Sequence, residues 1–147
     1  MSVLSQIIAS KALVIPAAAW FVAQALKTII QSLREKHLNL RYLVSTGGMP
    51  STHASLVCAL ATTVGIVYGI DSVVFAISVI LAAIVMHDAA GVRQTVDKQS
   101  AILNHLLVEF PKTQAEFEHF VQQLVGHTRF QVIVGAVLGI LLAIWWT

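Results

Sequence analysis

Charge is scarce in this chain: Asp, Glu, Lys and Arg make up 11% of 147 residues, and the net charge at neutral pH is only +2. Tracking a nucleic-acid backbone requires a dense basic surface, so no nucleic-acid partner is expected. Cysteine is nearly absent as well. The single Cys58 can form no internal disulfide and belongs to no thiolate metal set, so its expected role is a small helix-packing residue. No basic residue precedes Lys11, and Lys11 itself interrupts the first apolar run; a cleaved leader therefore fits poorly, and the first hydrophobic segment is expected to stay. What the chain has in abundance is apolar surface. Hydrophobic residues make up 57% of it and the mean hydropathy is +0.81, well beyond an ordinary soluble domain. The composition is that of an integral membrane protein, with residues 1–147 as a single membrane domain.

Crossing a bilayer as a helix takes about 17 to 25 mostly apolar residues. Four stretches qualify, at about 12–30, 53–70, 72–90 and 130–146. The third is apolar as far as Met86, after which His87 and Asp88 place its end near the membrane interface. In the fourth, Gly135 and Gly139 have the spacing that lets helices approach closely, and Trp145 with Trp146 suits an interfacial anchor. Between spans three and four the chain is polar but still helical in period, which predicts two amphipathic helices within about 95–125. Val96, Leu103, Leu107 and Phe110 share one face; Pro111 interrupts; and Thr113 to Glu116 reads as a capping box before Phe117, Phe120, Val121 and Leu124. The expected fold is all-α, with four transmembrane helices and two amphipathic helices in the loop between spans three and four.

Basic residues are distributed unequally. Lys27, Arg34, Lys36, Arg41, Arg93, Lys98, Lys112 and Arg129 gather toward one face of the membrane, and only Lys11 lies opposite. The positive-inside tendency makes the crowded face cytoplasmic, with both termini outside, in a membrane of the bacterial inner or plasma type.

On this face four segments carry groups suited to a phosphate ester. Lys27 and Arg34 close span one, Gly47 to His53 opens span two, Asp88 to Arg93 closes span three, and Gly126 to Gln131 opens span four. A phosphoryl group in transfer needs cations for its equatorial oxygens, backbone N–H groups at a helix start, a nucleophile, and a proton donor for the leaving oxygen. All four kinds of group are present.

The text Ser45-Thr46-Gly47-Gly48-Met49-Pro50-Ser51-Thr52-His53, with Asp88-Ala89-Ala90-Gly91-Val92-Arg93, Leu103-Asn104 and Gly126-His127-Thr128, resembles the divergent membrane branch of the type 2 phosphatidic acid phosphatase superfamily. The resemblance covers nearly the whole chain. Of the superfamily's motifs, Lys-x6-Arg-Pro is met by Lys27 and Arg34 with Glu35 in place of proline, and Pro-Ser-Gly-His by Pro50, Ser51 and His53 with Thr52 in place of glycine. In the third, Ser-Arg-x5-His-x3-Asp, His127 stands in place, Gln131 occupies the acid position, and the Ser-Arg pair is missing.

The resemblance implies a phosphatase that needs no metal or other cofactor. His127 would be the nucleophile, His53 the general acid, Lys27 and Arg34 the phosphate-binding cations, Ser51 and Thr52 further donors at the helix start, and Arg93 a replacement for the missing motif arginine. Attack requires a neutral imidazole and leaving-group protonation an imidazolium, roles that a histidine pair divides near neutral pH. The implied substrate is a phosphomonoester or diphosphate on a membrane lipid. A homo-oligomer is compatible with the sequence.

Each of these residues also has a plain structural reading. His53 and Gly126-His127 sit at helix boundaries; Lys27 can snorkel from a span toward water; Arg41, Lys36 and Arg129 can serve as positive-inside charges or anionic-lipid contacts. Asp88 either pairs with a cation, orients a histidine or holds a metal, and with His87 alone it makes an incomplete ligand set. Thr128 to Gln131 is itself a capping box. A glutamine cannot supply the negative charge that stabilises a phosphoimidazolium. Three readings follow: a weakened or inactive enzyme, a substitute carboxylate such as Asp88, or a variant whose parent carries an acid at position 131. The alternative function is a non-catalytic membrane protein that binds anionic headgroups through the same cations.

Overall fold

The computed structural model describes residues 10–36, 48–107 and 128–147, for Glu35 and most positions from 92 to 107 as backbone alone. Among the described residues the chain forms four α-helices: α1 (Lys11–Glu35), α2 (Thr52–Tyr68), α3 (Val73–Leu107) and α4 (Arg129–Trp146).

Their residue distribution is inverted relative to a soluble bundle. On α1, Gln24, Lys27 and Thr28 are buried while Phe21, Ile29 and Leu33 are exposed. The buried apolar residues are mostly small, as at Ala19, Ala23, Ala54, Ala59, Ala82, Ala89 and Ala143. That is the pattern of helices surrounded by lipid, where large apolar side chains face the acyl chains and small or polar ones let the helices meet. α1, α3 and α4 each contain an apolar stretch long enough to cross, over Lys11–Arg34, Val73–Gly91 and Arg129–Trp146. α2 is apolar but has 17 residues, the lower limit for a spanning helix; the expected segment 53–70 is cut short because Gly69, at φ 89°, ends the helix.

α3 also differs from expectation. The sequence separates span three, at about 72–90, from loop helices within about 95–125, yet α3 runs unbroken for 35 residues across that interval. At about 1.5 Å per residue it is roughly 52 Å long, well beyond the ~30 Å hydrocarbon core. The polarity from His87 onward therefore marks where the helix leaves its apolar stretch, and Gly91 alone does not stop it. The second loop helix expected near 113–125, with Pro111, lies outside the described residues.

α2 is the central element. It packs on α1, α3 and α4, whereas α4 barely meets α3 and, among the described residues, no Cα of α1 comes within 8 Å of one in α3. α2 and α4 run parallel and in register: Ala59 packs with Ala143, and a Cβ added at Gly135 or Gly139 would collide with the backbone carbonyl of Ser51 or Ser55. Small residues every fourth position on both helices permit this approach. The Ser55 hydroxyl donates to the Ala19 carbonyl at 3.2 Å and so ties α2 to α1. At the far end, Lys11 Nζ donates to the Thr147 carbonyl at 2.9 Å.

Candidate functional site

Opposite the Lys11 end, the close of α1, the starts of α2 and α4 and the Ala89 level of α3 come together. Ala54 of α2, Ala89 of α3 and Val132 of α4 form one buried cluster there. The Gly48 turn over Lys27 brings the end of α1 to the same end of the bundle.

Among the described residues Lys27 is the largest fully buried side chain, with 0% exposure. It is flanked on α1 by Gln24, Thr28 and Gln31, spaced so that they form one polar stripe. The turn before α2 lies over this stripe. Gly48 has φ +96°, and a Cβ there would sit 3.0 Å from Gln31 Nε2 and 3.2 Å from Lys27 Cγ. Glycine thus meets two demands at position 48, a backbone angle that L residues avoid and a close approach to the lysine stem. A cis Met49–Pro50 bond follows.

Ser51 is the N-cap of α2 and fully buried; its hydroxyl accepts from the Ala54 amide at 3.4 Å. The Ser51 amide donates to the Gln131 carbonyl at 3.1 Å, which joins the first turns of α2 and α4. Thr52 is buried too, at 3% exposure. His53 is exposed, as are Arg34 in the last turn of α1 and Asp88 on α3. Asp88 neighbours the buried Ala89 and so stands at the level of the cluster while its side chain faces outward. Arg93 lies on α3 beyond its apolar stretch, with its side chain outside the description.

Gln131 forms the capping box read from the sequence: its Oε1 accepts from the Thr128 amide at 3.0 Å, and its own amide donates to Thr128 Oγ1 at 3.4 Å. His127 lies outside the described residues. Thr128 has extended backbone angles as the N-cap and α4 starts at Arg129. Among the described residues no group of three or more His, Cys, Asp or Glu is placed to hold a metal ion.

The sequence reading missed Gln24, Thr28 and Gln31. Their signal was there to be read, since polar residues at i, i+3, i+4 and i+7 within an otherwise apolar span mark a face turned toward protein or water.

Residues 8–142 match the Divergent PAP2 family. The chain belongs to that family. A relative among curated proteins is the "Uncharacterized membrane protein YuiD" of Bacillus subtilis (strain 168), 37% identical over 138 residues, which cover 86% of this chain and 87% of that protein. No solved structure matches. Within the Divergent PAP2 chain, the matched region takes in the end of α1, the Gly48 turn over Lys27 and the starts of α2 and α4.

Proposed function

We propose that this Divergent PAP2 protein is a lipid phosphatase of the cytoplasmic leaflet, which hydrolyses a phosphomonoester or diphosphate on a membrane lipid through a phosphohistidine formed on His127. In this reading the chain crosses the membrane four times, α2 included. The observation that carries it is the meeting of three positive elements at one end of the bundle. α2 and α4 begin side by side and point the same way, so their N-terminal dipole ends are adjacent. The buried Lys27 approaches the same turn from α1. A phosphate is an anion that adjacent helix starts and a nearby cation favour.

The residues divide the work as follows. Lys27 and the first amides of α2 hold the phosphate, with Arg34 and Arg93 as outer cations. The His127 imidazole attacks phosphorus, the bond to the leaving oxygen breaks, and His53 gives that oxygen its proton. Water, deprotonated by His53, then cleaves the phosphorus–nitrogen bond and releases inorganic phosphate with His127 restored. The exposure of His53 at the mouth of α2 suits a group that must meet both substrate and water.

One observation favours the second reading, binding of anionic headgroups without hydrolysis: the Gln131 carboxamide caps its own helix and adds no negative charge. Phosphate release from a panel of lipid phosphates by the purified protein, with and without chelator, separates the two. Release that survives chelator and is abolished by both His53→Ala and His127→Ala is expected, with a phosphoenzyme missing only in His127→Ala. A phosphoenzyme that persists in His127→Ala would overturn the role given to that residue, and lipid binding without release would favour the second reading.

A further inference from the structure

α3 is the least covered of the three long apolar helices. Ala82 and Ala89 pack on α2. At about 100° per residue the opposite side of α3 carries Val73, Ile77, Ile80 and Ile84 within an arc of about 60°. Each of these four is 55 to 75% exposed, and their alternating steps of four and three residues are those of a seam between parallel helices. His87 lies about 50° to one side of this line and Asp88 about 50° to the other. Both are exposed, and among the described residues neither side chain enters an ion pair or a hydrogen bond.

These two side chains lie deep. Asp71, exposed in the turn before α3, marks the opposite interface, and from Val73 to Met86 the apolar run rises about 20 Å. That is about 10 Å less than the hydrocarbon core. On α1 the exposed apolar residues run from Leu13 to Leu33, about 30 Å, and match the core in full. His87 and Asp88 therefore stand on the outward side of α3 within the layer that α1 fills with leucine and isoleucine. The Cα–Cβ bonds of a helix tilt toward its N-terminus, so both side chains lean further into that layer. A carboxylate at such depth is costly until a donor meets it.

We propose that this side of α3 is the contact with a second copy of the chain, the two α3 helices running parallel about a two-fold axis along the membrane normal. A two-fold rotation sets the His87 side of one helix against the Asp88 side of the other, twice. In both places an imidazole N–H of one copy donates to the carboxylate of the other, while Val73, Ile77, Ile80 and Ile84 meet along the seam. Acyl chains can cover the four apolar residues but bring Asp88 no donor. The second copy brings a donor for Asp88 and an acceptor for His87 at one contact, because the two residues flank the seam at equal angles. The contact is independent of the function proposed above.

The test is oxidative cross-linking of the full chain in membranes, in a Cys58→Ala background and with unchanged helix content by circular dichroism. Ile80→Cys should form a disulfide-linked dimer several-fold faster than Phe21→Cys on α1 or Val137→Cys on α4, which are also exposed. Asp88→Asn and His87→Phe should each slow the Ile80→Cys linkage several-fold. Exchanging the pair, His87→Asp with Asp88→His, should restore it, since the two-fold again sets imidazole against carboxylate. Equal rates at the three cysteine positions would reduce the linkage to chance collision and overturn the proposal. So would a rate at Ile80→Cys that no His87 or Asp88 variant changes. Failure of Ile80→Cys to link at all would leave α3 to lipid, with the bilayer thinned beside it, and would overturn it equally.

Discussion

The Ser51 amide and the Gln131 carbonyl are hydrogen-bonded at 3.1 Å across two different helices. This backbone bond fixes the starts of α2 and α4 at one height, and it exists because the next contacts along the pair are glycines. Gly135 lies against the Ser51 carbonyl and Gly139 against the Ser55 carbonyl, so closely that neither position has room for a methyl group.

Gly135→Ala and Gly139→Ala should each destabilise the bundle by about 1 to 3 kcal/mol, since the colliding atoms are backbone and cannot swing aside. The measurement is thermal unfolding in detergent. Gly91→Ala is the control, because a Cβ there would meet His87 Nε2 at 4.0 Å and an alanine inside a helix gains up to about 1 kcal/mol over glycine. Equal melting temperatures for all three variants would contradict the tight α2–α4 seam.

Gly48→Ala should act on the site itself. A Cβ at φ +96° is strained, at a cost of about 1 to 3 kcal/mol, and would press on Lys27 and Gln31. The expected outcome is a rise in KM for a lipid phosphate of about tenfold, with kcat less affected, as the lysine is pushed from its position. Gly69→Ala provides the comparison: φ is +89° and the added Cβ would meet Asp71 at 2.7 Å, but this turn lies at the other end of α2. It should lower stability similarly and leave KM alone. A KM equally changed by both variants would mean that general loosening, and not Lys27, is responsible.

Sidedness follows from the basic residues. A cysteine placed at Asn39, in a Cys58→Ala background, should resist a membrane-impermeant thiol reagent in intact cells and react after permeabilisation. Lys11 is the single basic residue at the opposite end, so the charge rule favours one orientation clearly. Labelling in intact cells would turn the site outward and move the substrate to the outer leaflet.

Local signals were legible in the sequence and tertiary ones were not. Apolar runs located the cores of α1, α3 and α4, and Thr128 with Gln131 announced a capping box that the structure contains. The apolar stretch of α3 ends where the sequence places the end of span three, but its helical continuation to Leu107 was not legible, because polarity at His87 and Asp88 reads alike whether a helix stops or merely leaves its apolar surroundings; the backbone can continue in water as readily as in lipid. Lys27 reads in the sequence as a snorkelling or a phosphate-binding cation, and its burial beneath the Gly48 turn is a third circumstance that neither reading contains. That contact joins residues from separate segments, and no periodicity within either one encodes it.

Gln131 offers the sharpest test of the chemistry. Its carboxamide oxygen accepts from the Thr128 amide, and a carboxylate would accept there equally well. A negative charge in the first turn of α4 is also favoured by the helix dipole, by about 0.3 to 1 kcal/mol. Gln131→Glu should therefore fold as well as the parent, whereas Gln131→Ala loses the cap and about 0.5 to 2 kcal/mol. If the residue occupies the position of the superfamily's acid, the new carboxylate offsets the charge that an attacking imidazole gains, and kcat should rise severalfold. The same charge sits near a bound phosphate and repels it, so KM should rise as well. Parallel measurement of kcat, KM and melting temperature isolates the electrostatic effect, because only kcat reports stabilisation beyond the bound state. Equal or lower kcat in a well-folded Gln131→Glu would reject this role and direct attention to Asp88, the carboxylate that α3 carries to the same level beside Ala89.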